Sequence, residues 1–409
     1  MSPEDPIGII ELGNINIKCL IFKIKENNDS EILSTSTKSS DGIHNGIVIN
    51  LTKASNAIRS CISSAEKKAK VSLKKINVVF DEPEFLCTKF SKQKKINGSK
   101  IYKEDIEFLL KEAKKQLILN DERQSIIHIF NHNYNVDGKN FTDEPIGVYA
   151  DLLSHEMTFI SMPKNNLKNI NQVFLDCDIE IERIISSTFA LGVMLLNNNE
   201  LQFGSAIIDI GFEKISLGLF KNLALVHLIT LPIGVNHITK DISKVCSLNI
   251  EESEIIKNNI DFLFKNNQNL FDENNYLKNI YFIDSSFRKI SKNLISKVAK
   301  ARIDEIFERI KKQINLSGFN LNSGISLLLT GGGSNLLNVD EYCMNFFGIN
   351  VKKTKENNIN EKDSQENFFS CLGALKILKD GWETEAIPKS GSKNIKKIGL
   401  FSKIFGLPK

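Results

Sequence analysis

The chain has 409 residues, 41% of them hydrophobic and 25% charged, with a formal net charge of +4. That length supports more than one hydrophobic core, and Lys is set against Asp and Glu nearly throughout, which excludes a general nucleic-acid binder. Seven cysteines, at 19, 61, 87, 177, 246, 343 and 371, form no CxxC pair, so no metal knuckle or disulfide framework is expected and the compartment is a reducing one.

The amino terminus, MSPEDPIGII, is acidic and proline-interrupted, unlike a signal peptide. No run approaches the roughly 20 apolar residues of a spanning helix, which predicts a cytoplasmic protein. The first predicted element is the hairpin IIELGNINIKCLIFK, at 9–23. An apolar strand ends in a carboxylate, Glu11, then a turn glycine, Gly13, then a second apolar strand closing on Phe-Lys. After a polar stretch the pattern predicts a helix over 51–70 and a strand over 76–80. From about 83 to 155 the texture changes to a compact α+β insertion. It holds a short β segment, a helix over 103–119 with Ile106, Leu109, Leu110, Ala113 and Leu117 on one face, the strand SIIHIF, and a hairpin at Asp137-Gly138. His128 and His132 are four apart, a metal-ligand spacing on a helix. On a predicted strand and its exit they are ordinary strand-end histidines. A strand over 157–162 and a helix over 167–175 follow.

The second half opens on a repeat of the first hairpin. IIDIGFEKISLGLFK, at 207–221, matches six of the fifteen earlier positions, with Asp209 for the carboxylate and Gly211 for the glycine. Two such units imply two similar α/β halves facing a cleft, where paired turns hold phosphates through backbone N–H groups. LPIGVNHITKDISKVC reads as a strand entering a helix, with Thr239 and Asp241 near its start. A charged helical region runs over 251–314, and its last helix, ARIDEIFERIKKQI, puts Ile303, Ile306, Phe307, Ile310 and Ile314 on one face. ISLLLTGGGSNLLNV then gives a buried strand at 325–329 running into Gly331, Gly332 and Gly333 and a helix start. Such a turn lets a ligand approach the backbone near the positive end of a helix, a candidate seat for a nucleotide's sugar and base.

Beyond Trp382 the composition turns polar, and PKSGS reads as a linker. From Gly391 there are five lysines and no acid. Ile395, Ile398, Phe401 and Phe405 fall mostly on one helical side, with Lys396 and Lys403 opposite and Lys397 between; Leu400 and Ile404 extend the apolar content. A short basic amphipathic helix of this kind suits an anionic membrane surface. At about 1 kcal/mol per lysine, four helical lysines supply roughly 4 kcal/mol, and inserted apolar side chains add more.

The two hairpins and the GGG turn, in this order and spacing, resemble the phosphate loops and adenosine motif of the actin/Hsp70 ATPase superfamily. DERQSIIHIFNHNYNVDG followed by PIGVYADLL, together with LPIGVNHITKDI and the terminal segment, resembles the FtsA family of that superfamily over almost the whole chain. The resemblance implies an α/β fold of two actin/Hsp70-like (ribonuclease H-like) halves around a nucleotide cleft, with an FtsA-type inserted α+β subdomain. It implies a first half over 1–80 and 157–190, interrupted by the insertion at 81–156. The second half takes 191–240 and 316–380, interrupted by a smaller subdomain at 241–315, with a linker at 381–393 and a membrane-targeting helix at 394–409.

For function it implies ATP with Mg²⁺ on Gly13, Asn14, Asn16, Asp209, Gly211, Gly331, Gly332, Gly333 and Asn335, with Glu254 and Lys257 of EESEIIK reaching the ribose and base. Asp209 is expected either to hold Mg²⁺ through water or simply to cap its turn. Arg302 and Glu305 match a pair on the helix that takes the FtsZ C-terminal peptide, although by themselves they read as solvated helix charges. The implied partners are FtsZ, further copies in actin-like filaments, the membrane and other division proteins. The sequence departs from the family at both turns. Asn14 stands for a threonine, and Asp-Ile-Gly-Phe-Glu-Lys at 209–214 stands for Asp-x-Gly-Gly-Gly-Thr. Phe212 adds bulk, Glu213 adds charge that repels phosphate and that Lys214 offsets in part, and the expected result is a degenerate ATP site. A like charge within about 4 Å costs on the order of 4 kcal/mol at a surface-like dielectric. The competing readings are an enzyme of the superfamily, such as a sugar kinase or exopolyphosphatase, and a pilus-assembly adaptor of the same fold.

Overall fold

The computed structural model describes residues 5–25, 29–264, 269–283, 289–321, 325–354 and 368–379; the expected linker and membrane-targeting helix lie outside the described residues. The described residues form two compact units, one drawn from 5–204, 218–228 and 368–379 and the other from 205–217 and 229–354.

In the first unit the repeated hairpin is β1 (Ile7–Leu12) and β2 (Asn16–Ile24). β1 is buried at five of six positions, which is why it reads as a continuous apolar run. After β3 (Ser30–Ser39), β4 (Ile43–His44) and β5 (Ile47–Val48) comes α1 (Leu51–Ala69). Asn50 caps it by accepting the N–H of Lys53 at 3.0 Å, and Ala54, Ile58, Cys61, Ile62 and Ala65 form its buried stripe. β6 (Lys75–Phe80) then lies parallel to β1.

The insertion follows: β7 (Leu86–Lys100), α2 (Lys103–Asn120), β8 (Gln124–Val136), β9 (Lys139–Phe141) and β10 (Tyr149–Pro163), in an antiparallel sheet of order β7-β10-β8-β9. The five apolar positions of α2 are all buried, Leu110, Ala113 and Leu117 against Phe90, Ile129, Met157 and Phe159, and Ile106 and Leu109 against Ile96, Tyr134 and Leu153. Asp137 at φ 48° and Gly138 at φ 84° form the expected tight turn. β7 is fifteen residues long rather than short, because only Phe90 and Ile96 are buried along it and its many lysines mask the strand pattern.

The chain returns through α3 (Lys164–Leu175), β11 (Glu180–Ser186), α4 (Ser187–Leu195) and α5 (Asn198–Phe203), completing a sheet of order β11-β6-β1-β2-β3.

The second unit starts at β12 (Ser205–Ile210). Its hairpin partners, β13 (Ile215–Lys221) and β14 (Ala224–Leu231), belong partly to each unit. Next come α6 (Asn236–Cys246), α7 (Ile250–Asn259), α8 (Lys292–Leu316), β15 (Ser326–Thr330), α9 (Val339–Phe347) and β16 (Val351–Lys353). The sheet order is β14-β13-β12-β15-β16, with β12, β15 and β16 parallel. This is the order of the first sheet again, a meander on one side of the lead strand and two parallel strands on the other. A repeat visible over fifteen residues therefore extends to two whole sheets.

Finally α10 (Phe369–Lys379) packs on α4 within the first unit. A Cβ on Gly373 would stand 1.9 Å from the carbonyl oxygen of Ala190.

Two expectations are corrected. The region 251–314 is not helical throughout: between α7 and α8 the described residues hold only a 3₁₀ turn at Asn279–Tyr281 and two isolated bridges. Asp272 Oδ1 accepts the N–H groups of Asn274 and Tyr276 there, the side-chain competition that keeps Asp/Asn-rich segments out of helices. The GGG turn enters a four-residue 3₁₀ turn, Gly332–Asn335, and α9 begins only at Val339.

Candidate functional site

The two hairpin turns have the same geometry. The N–H of Gly13 donates to the carbonyl of Asn16 at 3.1 Å, and the N–H of Gly211 donates to the carbonyl of Lys214 at 3.0 Å. A Cβ on either glycine would meet that carbonyl oxygen, at 2.5 Å for Gly13 and 2.6 Å for Gly211. Glycine is required here by close approach. The chemistry around the turns differs. In the first unit Asn14 Nδ2 donates to Asn45 Oδ1 at 3.2 Å, and Glu11 pairs with Lys18 at 3.4 Å across the hairpin. Asn16 is exposed.

In the second unit Asp209, at the end of β12, lies against the GGG turn: a Cβ on Gly331, at φ 82°, would stand 2.2 Å from its Oδ1. A Cβ on Gly333 would be nearly as close to β12, 2.3 Å from Ile210 Cγ2, while Gly332 faces open space. Asn335 is exposed.

The second turn is clasped to α6. Val235 and Asn236 donate their N–H groups to the carbonyls of Gly211 and Phe212, at 3.1 and 2.8 Å. Glu213 Oε1 accepts from Asn236 Nδ2 at 2.7 Å and Lys240 Nζ at 2.9 Å, with His237 Nδ1 at 3.9 Å from Oε2. Burial alone would raise the Glu213 carboxyl, but the donors from Lys240 and Asn236 overcome it and hold it below the usual carboxylate range. The sequence assigned the offset of Glu213 to its neighbour Lys214. Lys240, one helical turn into α6, supplies it instead.

Glu254 and Lys257 do share one face of α7, as spacing predicts, and they meet each other. Lys257 Nζ donates to Glu254 Oε1 and Oε2 at 2.7 and 2.8 Å, and Thr239 Oγ1 adds a bond to Oε2 at 2.6 Å. The Lys257 side chain is only 2% exposed, and its ammonium lies 6.0 Å from the centre of the Phe212 ring. Burial pushes the Lys257 pKa down against the pull of Glu254.

Arg302 and Glu305 are also joined, and are more than solvated charges. Arg302 forks onto Asp241 of α6, Nε to Oδ2 at 2.5 Å and Nη2 to Oδ1 at 3.0 Å, and also bonds Glu305, whose other oxygen takes Arg309 at 2.6 Å. Asp241 was visible in the sequence only as a residue near a helix start.

A buried polar cluster in the first unit carried no sequence signal. Asp81 is fully buried and accepts four bonds: Ser186 Oγ at 2.6 Å on Oδ1, and Ser187 Oγ, Thr188 Oγ1 and Thr188 N–H at 2.6–2.9 Å on Oδ2. It sits at the N-terminal end of α4, where helix amides favour an anion. His128 is fully buried on β8, and its Nε2 accepts the N–H of Ser186 at 2.9 Å. Among the described residues no group of three or more His, Cys, Asp or Glu is arranged to hold a metal, and no helix is long and apolar enough to cross a membrane.

The model of the family "Cell division protein FtsA" matches residues 206–373, and that of the "SHS2 domain inserted in FTSA" matches 85–161, the span of the inserted sheet and α2. The chain belongs to the FtsA family. FtsA proteins of Streptococcus pneumoniae serotype 2 and Agrobacterium fabrum are 26% and 24% identical to it. The first alignment covers 93% of this chain and 84% of that protein, the second 85% and 80%. Their described role, cell division, decides against the kinase and pilus-adaptor readings.

Among solved structures, the PilM-PilN type IV pilus biogenesis complex aligns with a TM-score of 0.63 at 12% identity, covering 91% of this chain and 99% of that one. MreB5 of Spiroplasma citri bound to ADP aligns with a TM-score of 0.50 at 14% identity, over 92% and 98%. These likenesses concern the fold: this FtsA-family chain has the actin-like ATPase fold, which accommodates a nucleotide in MreB5.

Proposed function

We propose that this chain is an actin-like adaptor that tethers the FtsZ ring to the inner face of the cell membrane at the division site. The FtsA family match over the second unit and the insertion carries the reading. The terminal segment, whose sequence sets Ile395, Ile398, Phe401 and Phe405 among Lys396, Lys397 and Lys403, is the membrane contact. The α8 charges Arg302 and Glu305 receive the FtsZ C-terminal peptide. The inserted subdomain recruits other division proteins, and further copies assemble alongside as actin-like filaments, which multiplies a weak tail affinity.

The nucleotide-site residues do not fit ATP with Mg²⁺ well. The amides and the cation that start α6 are engaged by the second turn, and Glu254 and Lys257 engage each other. No catalytic step is assigned, and the adaptor role requires none.

The test is co-sedimentation with anionic vesicles, comparing the full chain with one ending at Ser392. The full chain is expected to pellet in a salt-sensitive manner and to bring FtsZ with it, and the shortened chain to stay in solution. Equal behaviour of the two would sink the tether reading.

A further inference from the structure

We propose that Glu213 is an internal anion that takes the place of a bound phosphate at the second turn, excluding nucleotide and holding the turn closed without it. The inference rests on the reading of a degenerate site and names the residue responsible. A turn that binds phosphate presents free N–H donors and a cation to the ligand's oxygens. The same kinds of donor are present here, but a carboxylate of the chain itself receives them. Glu213, with its side chain 13% exposed, takes Asn236 Nδ2 and the Lys240 ammonium, which bonds both carboxylate oxygens at 2.9 and 3.3 Å.

The backbone is shaped for the same closure. The first amides of α6 point at the carbonyls of Gly211 and Phe212. Gly234 lets the two segments touch, since a Cβ there would stand 2.4 Å from Phe212 O and 2.6 Å from Gly211 O. On the other side of the turn, Phe212 lies against the Glu254–Lys257 pair. Each contact joins residues of the second unit alone. The clasp thus works as a specificity device: an incoming phosphate must displace a carboxylate that is already in place.

The experiment uses the full chain, Mg-ATP and inorganic phosphate as probes, and calorimetric titration with thermal melting as readouts. The natural chain should show no saturable binding. Glu213→Gly should melt lower, regain stability when either probe is added, and bind Mg-ATP saturably where the natural chain does not, a gain of up to about a thousandfold on the scale of one removed like charge. Adding Lys240→Met should abolish the gain. Should Glu213→Gly fail to fold, Glu213→Gln keeps the Asn236 bond while losing the charge, and should show the same gain in smaller measure. No gain in any Glu213 variant, with the natural chain also silent, overturns the clasp and leaves the adaptor reading standing. Tight Mg-ATP binding by the natural chain overturns both the clasp and the degenerate site, while the vesicle test judges the tether separately.

Discussion

Replacing Gly331 with alanine isolates the contact between Asp209 and the GGG turn. Gly331 has φ 82° and ψ 167°, a region open almost only to glycine, and forcing another residue into it costs about 1–3 kcal/mol. The added Cβ would also stand 2.2 Å from Asp209 Oδ1 and 2.7 Å from the carbonyl oxygen of Ile210. The second of these is backbone at the end of a buried strand, so it cannot swing away, and overpacking of this kind adds typically about 1–3 kcal/mol. The sum is about 2–6 kcal/mol, which at about 2–4 °C per kcal/mol lowers the melting transition by roughly 5–20 °C.

Gly332→Ala is the matched control. Its Cβ meets nothing within 4 Å and its backbone is not left-handed, so its shift should stay within about 0.5 kcal/mol. Scanning calorimetry of the full chain compares the two. Equal melting of both variants would refute the reasoning, because it would mean that neither the backbone conformation nor the approach of Asp209 constrains the turn.

Gly13→Ala and Gly211→Ala should destabilise by similar amounts, about 1–3 kcal/mol each, since each Cβ meets a carbonyl oxygen at almost the same distance; a large inequality in denaturant midpoints would contradict the equivalence of the turns. Asp81→Ala strands three hydroxyls and an amide in the core and should cost about 3–5 kcal/mol, measured by urea unfolding of the first unit's transition. Burial, with Lys89 nearby, holds His227 down to about 4, and burial with Arg183 nearby holds His128 down to about 3. The unfolded chain protonates near 6.5, so both histidines stabilise the fold fully above that pH. The contribution fades as pH falls through 6.5 towards those lower values, by up to roughly 3 kcal/mol per pH unit for the pair, and His227→Gln should remove about half of the slope. Arg302→Ala should weaken capture of the FtsZ C-terminal peptide and loosen α8 from Asp241 of α6, whereas Arg302→Lys should recover stability more than binding because it keeps the charge without the fork; peptide affinity by fluorescence anisotropy beside a thermal melt separates the two effects.

Backbone periodicity was the legible part of the chain. The buried face of α2, the buried stripe of α8 and the paired hairpins could all be read because each follows from a local spacing of apolar residues. The pairings of charged groups were less legible, for they depend on which helix starts pass which turns. Lys240 and Asp241 are adjacent in sequence, yet one closes on Glu213 and the other on Arg302, and no one-dimensional pattern distinguishes them. Asp81, Ser186 and His128 come from three separated segments, so their cluster appears only once the insertion is folded against the first sheet. The 251–314 region is illegible for a different reason: its charge content resembles a helix, while the Asp261 and Asp272 side chains there accept nearby backbone N–H groups.

The paired turns separate two requirements that a phosphate loop ordinarily combines. Turning the chain between the carboxylate strand and its partner needs only a glycine without a Cβ, and both turns retain that, with hydrogen bonds of 3.1 and 3.0 Å. Binding a phosphate also needs donors left unengaged. In the first unit the Glu11 carboxylate already meets Lys18, and in the second the α6 amides, Asn236 and Lys240 already meet the turn. The first requirement stabilises the sheet whether or not a ligand is present, because losing the turn would unpair two buried strands. The second serves only a ligand. On the proposed reading a tether keeps the doubled sheets for their surfaces, and the turns here retain the one property while the donors beside the second turn are already engaged.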